Sequence, residues 1–210
     1  MPKTRSLDRD RIADAALELI EKHGLEALTM RRLGGRLGVE GMALYTYVQS
    51  KDELLDAVAE RVLEGLAREF DRSTSWQERI RRGTLAWAEL QERYPRAFPL
   101  VFRGSLRTDA VRLLTEELLD ALRSAGLDPQ ATALVYQTVI TLVDAALLGR
   151  SSWTDEQLEA AWLAGAAVVD VERFPRFGEV APFAARLTWR QILDSGLDLL
   201  LTGLERRLEG

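Results

Sequence analysis

The sequence contains no cysteine, which excludes a disulfide framework, a thiolate zinc site and a cysteine nucleophile together. A single histidine, His23, leaves too few imidazoles for a histidine-rich metal site and no base for a histidine-dependent triad. P-loop, Gly-x-Gly-x-x-Gly, His-Glu-x-x-His and serine-elbow motifs are also missing, so neither catalysis nor a metal or other cofactor is expected. The longest apolar run, Ala131–Gly149, is interrupted by Gln137 and Asp144. It is short for a membrane span and fits a buried helix. Met1–Arg11 is polar and basic with no apolar stretch behind it, so no secretory signal is read. The expectation is a cytoplasmic protein with no membrane partner.

Sustained period-two alternation is lacking too, whereas helical periodicity runs through nearly every segment. Ile12, Ala16, Leu19 and Ile20 form one stripe, closed by Lys22, His23 and Gly24. A basic last turn followed by glycine is a helix stop, and His23 is read as part of it. A second helix begins after Leu28 with Thr29 as N-cap and reaches Leu37, and Gly38 marks a turn. A third short helix covers Glu40 to Tyr47. Ser50 caps a long fourth, with Glu53 completing a capping box. Asp71–Ser75 breaks the pattern and marks a joint. Helices are then predicted over Trp76–Arg93, Pro95–Arg103, Thr108–Ala125, Pro129–Trp153 and Glu156–Val169. Phe174–Gly178 and Pro182 read as loop, and Thr188–Leu208 as a closing amphipathic helix. The fold class is all-α. Its N-terminal three-helix domain occupies 1–50, a connecting helix 51–72, and a larger helical ligand-binding and dimerisation domain 73–210.

The formal net charge of -5 argues at first against nucleic acid, but its distribution matters more than its sum. Up to Asp52 there are nine Lys/Arg against eight Asp/Glu, leaving 28-9 = 19 basic and 33-8 = 25 acidic residues beyond. The acidic excess therefore belongs to the C-terminal part. Lys3, Arg5, Arg9 and Arg11 lead the chain, and Arg31, Arg32 and Arg36 cluster behind them.

The second helix, the turn at Gly38 and the third helix have the size of a helix-turn-helix, which presents one short helix to the DNA major groove. Leu28, Leu33, Leu37, Val39 and Leu44 supply its interior. Gly41, Met42, Ala43, Thr46 and Tyr47 are expected to point outwards. Met42 and Ala43 suit a thymine methyl, Thr46 a hydrogen bond, and Gly41 a close approach of backbone to base edges. Lys51 adds a cation beside free N–H groups at a helix start, a phosphate clamp. Tyr45 is open between phosphate contact and core.

The string Leu28-Thr29-Met30-Arg31-Arg32-Leu33, then Leu37-Gly38-Val39, Ala43-Leu44-Tyr45-Thr46-Tyr47-Val48 and Lys51-Asp52-Glu53-Leu54-Leu55 resembles the signature of the TetR family of regulators. The resemblance implies an all-helical, homodimeric repressor of double-stranded operator DNA, released by a small-molecule inducer. It assigns Thr29 to phosphate, Arg31 to a base, Glu40, Gly41, Met42 and Ala43 to base edges, and Tyr45, Tyr47 and Lys51 to the DNA backbone. Gly34 and Gly35 depart from the family's usual alanine and helix former. Each would cost about 0.5–1 kcal/mol in a helix interior, which predicts a softened second helix.

The ending, Arg190 to Glu205, is similar to the last helix of the branch near the tetracycline repressors. There it forms a four-helix bundle with the preceding long helix and a partner subunit. The corresponding dimer seam is Val139, Leu142, Val143, Ala146, Leu193, Leu197, Leu200, Leu201 and Leu204. The branch's tetracycline–magnesium ligand relies on a histidine in the sensing domain, and this chain has none after His23, so a different inducer is expected. Aromatic residues gather beyond the joint, and Trp87, Phe102, Tyr136 and Gln137 are the candidate ligand contacts. The competing expectation is a helical ligand- or protein-binding module with a vestigial DNA-binding head, kept open by the two adjacent glycines.

Overall fold

The computed structural model describes residues 7–103, 108–152 and 154–209, and among them every regular element is helical. The α-helices are α1 (Arg9–His23), α2 (Met30–Leu37), α3 (Lys51–Val62), α4 (Trp76–Arg93), α5 (Pro99–Arg103), α6 (Asp109–Ser124), α7 (Pro129–Ser152), α8 (Asp155–Val168), α9 (Pro175–Ala184) and α10 (Trp189–Glu209). The chain forms two compact units, Met1–Thr74 with Ala86–Asp120 and Ser75–Leu85 with Ala121–Gly210.

In the first unit, Asp8 starts α1 by accepting the Arg11 N–H at 2.8 Å, and Gly24 closes it through its N–H to the Ile20 carbonyl at 2.7 Å. Ile12, Ala16, Leu19 and Ile20 are buried as their spacing predicts, and Leu28, Leu33, Leu44, Val48, Leu54 and Val58 complete the core. Each such leucine or isoleucine removed from water contributes about 1.5–3 kcal/mol. This core sets α1 against both α2 and α3.

The turn after α2 is a Schellman motif. Gly38 sits at φ 74°, a left-handed conformation that favours a residue without Cβ. Val39 donates to the Gly34 carbonyl at 2.9 Å and Gly38 to that of Gly35 at 3.4 Å. The chain then enters a single 3-10 stretch, Gly41–Thr46, in place of the predicted third α-helix. It lies unusually close to α2. A Cβ on Gly34 would stand 2.7 Å from the Gly41 nitrogen and 2.8 Å from the Val39 oxygen, and one on Gly41 would stand 2.8 Å from the Met30 oxygen. Gly34 is therefore a packing requirement and not a softening. Gly35 is exposed, and a Cβ there would meet nothing within 4 Å.

Three further expectations are corrected. The connecting helix over 51–72 stops at Val62, because Gly65 turns left-handed at φ 85° before a short 3-10 piece, Leu66–Glu69. The helix expected from Pro95 begins at Pro99, since the residue before a proline is disfavoured in the helical region and proline suits a helix's first position. The loop expected over 174–182 is α9, with Pro175 at its start and Pro182 inside it. Proline as a helix starter outweighed proline as a breaker.

In the second unit α7 packs on α10, so closely that a Cβ on Gly196 would lie 2.9 Å from a Leu142 methyl. Arg81 pairs with Asp194 at 3.8 Å and with Asp198. Trp162 of α8 stacks on Phe177 of α9, centroids 5.6 Å apart. Of the predicted seam, Val139, Val143, Leu193, Leu197, Leu201 and Leu204 are buried within this unit, and Leu142, Ala146 and Leu200 are half-buried. The apolar width read as surplus for a partner is largely consumed by α7–α10 packing. Among the described residues, the large apolar side chains these helices expose are Leu134, Ile192, Leu199 and Leu208.

The adjacent glycines of α2 should respond oppositely to alanine. Gly35→Ala is expected to raise stability by about 0.5–1 kcal/mol, and Gly34→Ala to lower it by about 1–3 kcal/mol through overpacking, as measured by urea unfolding.

Candidate nucleic-acid interface

A 3-10 stretch has about three residues per turn, so side chains at i and i+3 align in columns. Gly41 and Leu44 share the column turned inwards, Leu44 fully buried and Gly41 against the backbone of Met30 and Arg31. Gly41 therefore does not carry the backbone to a base edge as expected, because its bare side faces α2. The two other columns are Met42 with Tyr45 and Ala43 with Thr46, all exposed. Met42 is 74% exposed and Tyr45 and Tyr47 are each 40% exposed, so Tyr45 belongs to the surface. A large apolar side chain held that far into solvent beside two tyrosines suits a thymine methyl and flanking sugar-phosphate.

The two helix starts beside this segment carry the remaining candidates. Thr29 caps α2 by accepting the Arg32 N–H at 3.2 Å, which leaves its hydroxyl proton for an outside acceptor such as phosphate. Ser50 caps α3 by accepting the Glu53 N–H at 3.0 Å. The Glu53 carboxylate reaches past Ser50 to the Gln49 N–H at 2.6 Å, one residue earlier than a strict capping box. Thr29, Arg31, Glu40 and Lys51 are exposed, and among the described residues neither Arg31 nor Lys51 has an ion-pair partner. Their charges lie at helix N-termini, where unpaired N–H groups favour anions.

Two other members of the basic clusters are engaged elsewhere. Arg36 pairs with Glu18, and Arg9 with Glu60 at 3.1 Å. Lys3 and Arg5 lie outside the described residues. The basic rim nevertheless has an electrostatic consequence at the end of α1. Partial desolvation, then the cations Arg32, Lys22, Arg36 and Arg96, hold the exposed His23 imidazole below its ordinary 6.5.

The four ligand candidates are less coherent. Trp87, in the first unit, is half-buried and meets Phe98 edge-on at 5.5 Å. In the second unit Tyr136 is half-buried and Gln137 exposed. The Phe102 side chain lies outside the described residues. Burial raises the Asp144 carboxyl above its ordinary 3.8. A cavity of about 340 Å³ in the first unit, bordered by Ala13, Ala57, Arg61 and Leu114 among others, includes none of the four. Among the described residues no helix is long and apolar enough to cross a membrane.

Residues 12–58 match the family described as bacterial regulatory proteins, tetR family. The tetracycline repressor protein class D of Escherichia coli is 40% identical over 93 residues, which cover 42% of this chain and 41% of that repressor. The chain thus matches less than half the length of this curated relative. Solved structures match nearly end to end, ActR and BioQ among them. ActR, a TetR family protein of Streptomyces coelicolor in complex with (S)-DNPA, is 25% identical with a TM-score of 0.72, covering 97% of this chain and 99% of ActR. BioQ with its double-stranded DNA operator is 25% identical with a TM-score of 0.63, covering 96% and 99%.

Two outcomes follow from the local geometry. Ser50→Ala, which leaves the Glu53 N–H without its cap, is expected to lower stability by about 0.5–2 kcal/mol in denaturant unfolding. The His23 imidazole should titrate below 6.5 by NMR and move upwards as added salt screens its cationic neighbours. Because its folded pKa is lowered, this group has no effect well above pH 6.5 and destabilises the fold as pH falls through and below that value.

Proposed function

From the match of residues 12–58 to the tetR family of bacterial regulatory proteins, we propose that the chain is a sequence-specific DNA-binding transcriptional repressor of that family, released from a palindromic operator by a small molecule. The observation that carries this reading is the 3-10 segment Gly41–Thr46, whose inward column is locked on α2 while Met42, Ala43, Tyr45 and Thr46 stand exposed between the helix starts of Thr29 and Lys51. Arg31, Glu40, Met42, Ala43 and Thr46 face bases in this reading, and Thr29, Tyr45, Tyr47 and Lys51 hold phosphates. A regulatory role and not catalysis is supported by its relatives, which are named as repressors and transcriptional regulators.

A homodimer is part of the proposal, because one short reading element makes few base contacts and paired half-sites supply the rest. The partner would meet α7 and α10 on the faces of Leu134, Ile192 and Leu199, not on the buried leucines. The domain roles proposed are DNA reading by 1–50, connection by 51–72, and ligand binding and dimerisation by 73–210. A cytoplasmic site of action follows from a DNA target. The ActR complex is the model for a small-molecule ligand, and Trp87, Phe102, Tyr136 and Gln137 remain its proposed contacts. Release requires the ligand to favour a conformation in which two reading heads no longer match successive grooves.

The test is binding of the purified protein to DNA from its own upstream region across a salt series. A sequence-specific complex that weakens steeply with salt is expected. Lys51→Ala should weaken binding to all sequences and reduce the salt slope by about one per protomer. Arg31→Ala should cost about 1–3 kcal/mol per half-site and relax sequence preference. No specific complex at any candidate operator would contradict the proposal. In sedimentation, Leu199→Glu should shift the protein towards monomer without unfolding it, and an unchanged dimer would remove that face from the interface.

A further inference from the structure

We infer that Glu21 is a positioning residue that couples the DNA-reading head to the turn between α4 and α5. Its Oε1 accepts two consecutive backbone N–H groups, Ala97 at 2.7 Å and Arg96 at 3.2 Å. In return, the Arg96 Nη1 donates to the Glu21 backbone carbonyl at 3.1 Å. Three hydrogen bonds thus tie the last turn of α1 to a segment more than seventy residues further along the chain. Bonds to an ionised carboxylate are roughly twice as strong as neutral ones.

The tie joins two segments of the first unit that are far apart in sequence. The turn is Tyr94-Pro95-Arg96-Ala97-Phe98-Pro99, with a proline on each side fixing φ. Its Phe98 N–H is satisfied by the Tyr94 carbonyl at 2.8 Å, and Glu21 supplies the acceptor for the two N–H groups before it. Ala97 and Phe98 are buried, as are Leu100 and Val101 of α5, and α5 packs on α3. At the other end α1 packs on α2 and α3, which present Arg31 and Lys51. Fixing the head on DNA therefore acts on this turn through Glu21, and a displaced turn acts on the head. Such coupling is reciprocal. The inference rests on the DNA-binding reading and adds a residue that touches neither DNA nor ligand.

Hydrogen–deuterium exchange of the full-length protein tests it, with and without a double-stranded fragment of its own upstream region. Protection of residues 29–47 reports DNA binding independently of the coupling. In wild type, DNA should also slow exchange of the Arg96 and Ala97 amides by about threefold or more. In Glu21→Ala those amides should exchange about tenfold or more faster in the free protein. DNA should then protect 29–47 in this variant and leave 96–97 unchanged. Glu21→Gln keeps an acceptor and should retain part of the effect, which serves if the alanine variant fails to fold. Protection at 29–47 with no change at 96–97 in wild type, or the same change in Glu21→Ala, would overturn the coupling while leaving DNA binding intact. No protection at 29–47 with any fragment would overturn the DNA-binding reading and this inference with it.

Discussion

The contact between two glycines, Gly34 of α2 and Gly41 at the start of the 3-10 segment, is the constraint on which the rest of the N-terminal helices depends. With no Cβ on either side, backbone meets backbone, and the 3-10 stretch is pressed onto α2. That approach turns one column inwards, with Leu44 completing the core beside Leu33 and Val48. The two other columns have no route inwards and stand exposed. Presentation of Met42, Ala43, Tyr45 and Thr46 is thus a consequence of how closely two pieces of backbone approach. The Schellman turn at Gly38 supplies the reversal that makes the approach possible.

Much of this was legible in the sequence. The stripe of α1, the Thr29 and Ser50 caps and the glycine turn each follow from a local rule, and each is present. What was misread depends on distance between elements. Gly34 and Gly35 look alike in sequence, and only the position of Val39 and Gly41 makes one a packing necessity and the other an open site. The family resemblance places Gly41 at the DNA face, but neither resemblance nor periodicity says which neighbour a bare Cα meets, here the backbone of Met30 and Arg31. Proline misled twice, breaking a helix predicted from Pro95 and starting one where a loop was predicted at Pro175. Charge counting was also incomplete. It counted Arg9 and Arg36 with the basic clusters, whereas acidic neighbours hold both.

The second unit shows where the same reasoning runs out. Amphipathic width predicted that α7 and α10 would each have an apolar face to spare, but most of those leucines and valines are buried within the unit, where Leu142 meets Gly196. Apolar periodicity specifies that a face is buried, not which chain buries it. Among the described residues, Leu134, Ile192, Leu199 and Leu208 are the large apolar side chains these helices leave at the surface. The aromatic residues proposed as ligand contacts have no shared local pattern, and Trp87 meets Phe98 edge-on.

The central claim is that the exposed columns of Gly41–Thr46 read base identity while their surroundings hold phosphate. Selection of preferred sites from a randomised DNA pool, with wild type and Met42→Ala in parallel, addresses it most directly. The account predicts that the variant still binds DNA with a similar salt dependence but loses or alters its preference at one position in each half-site. An unchanged preference throughout the site would contradict it.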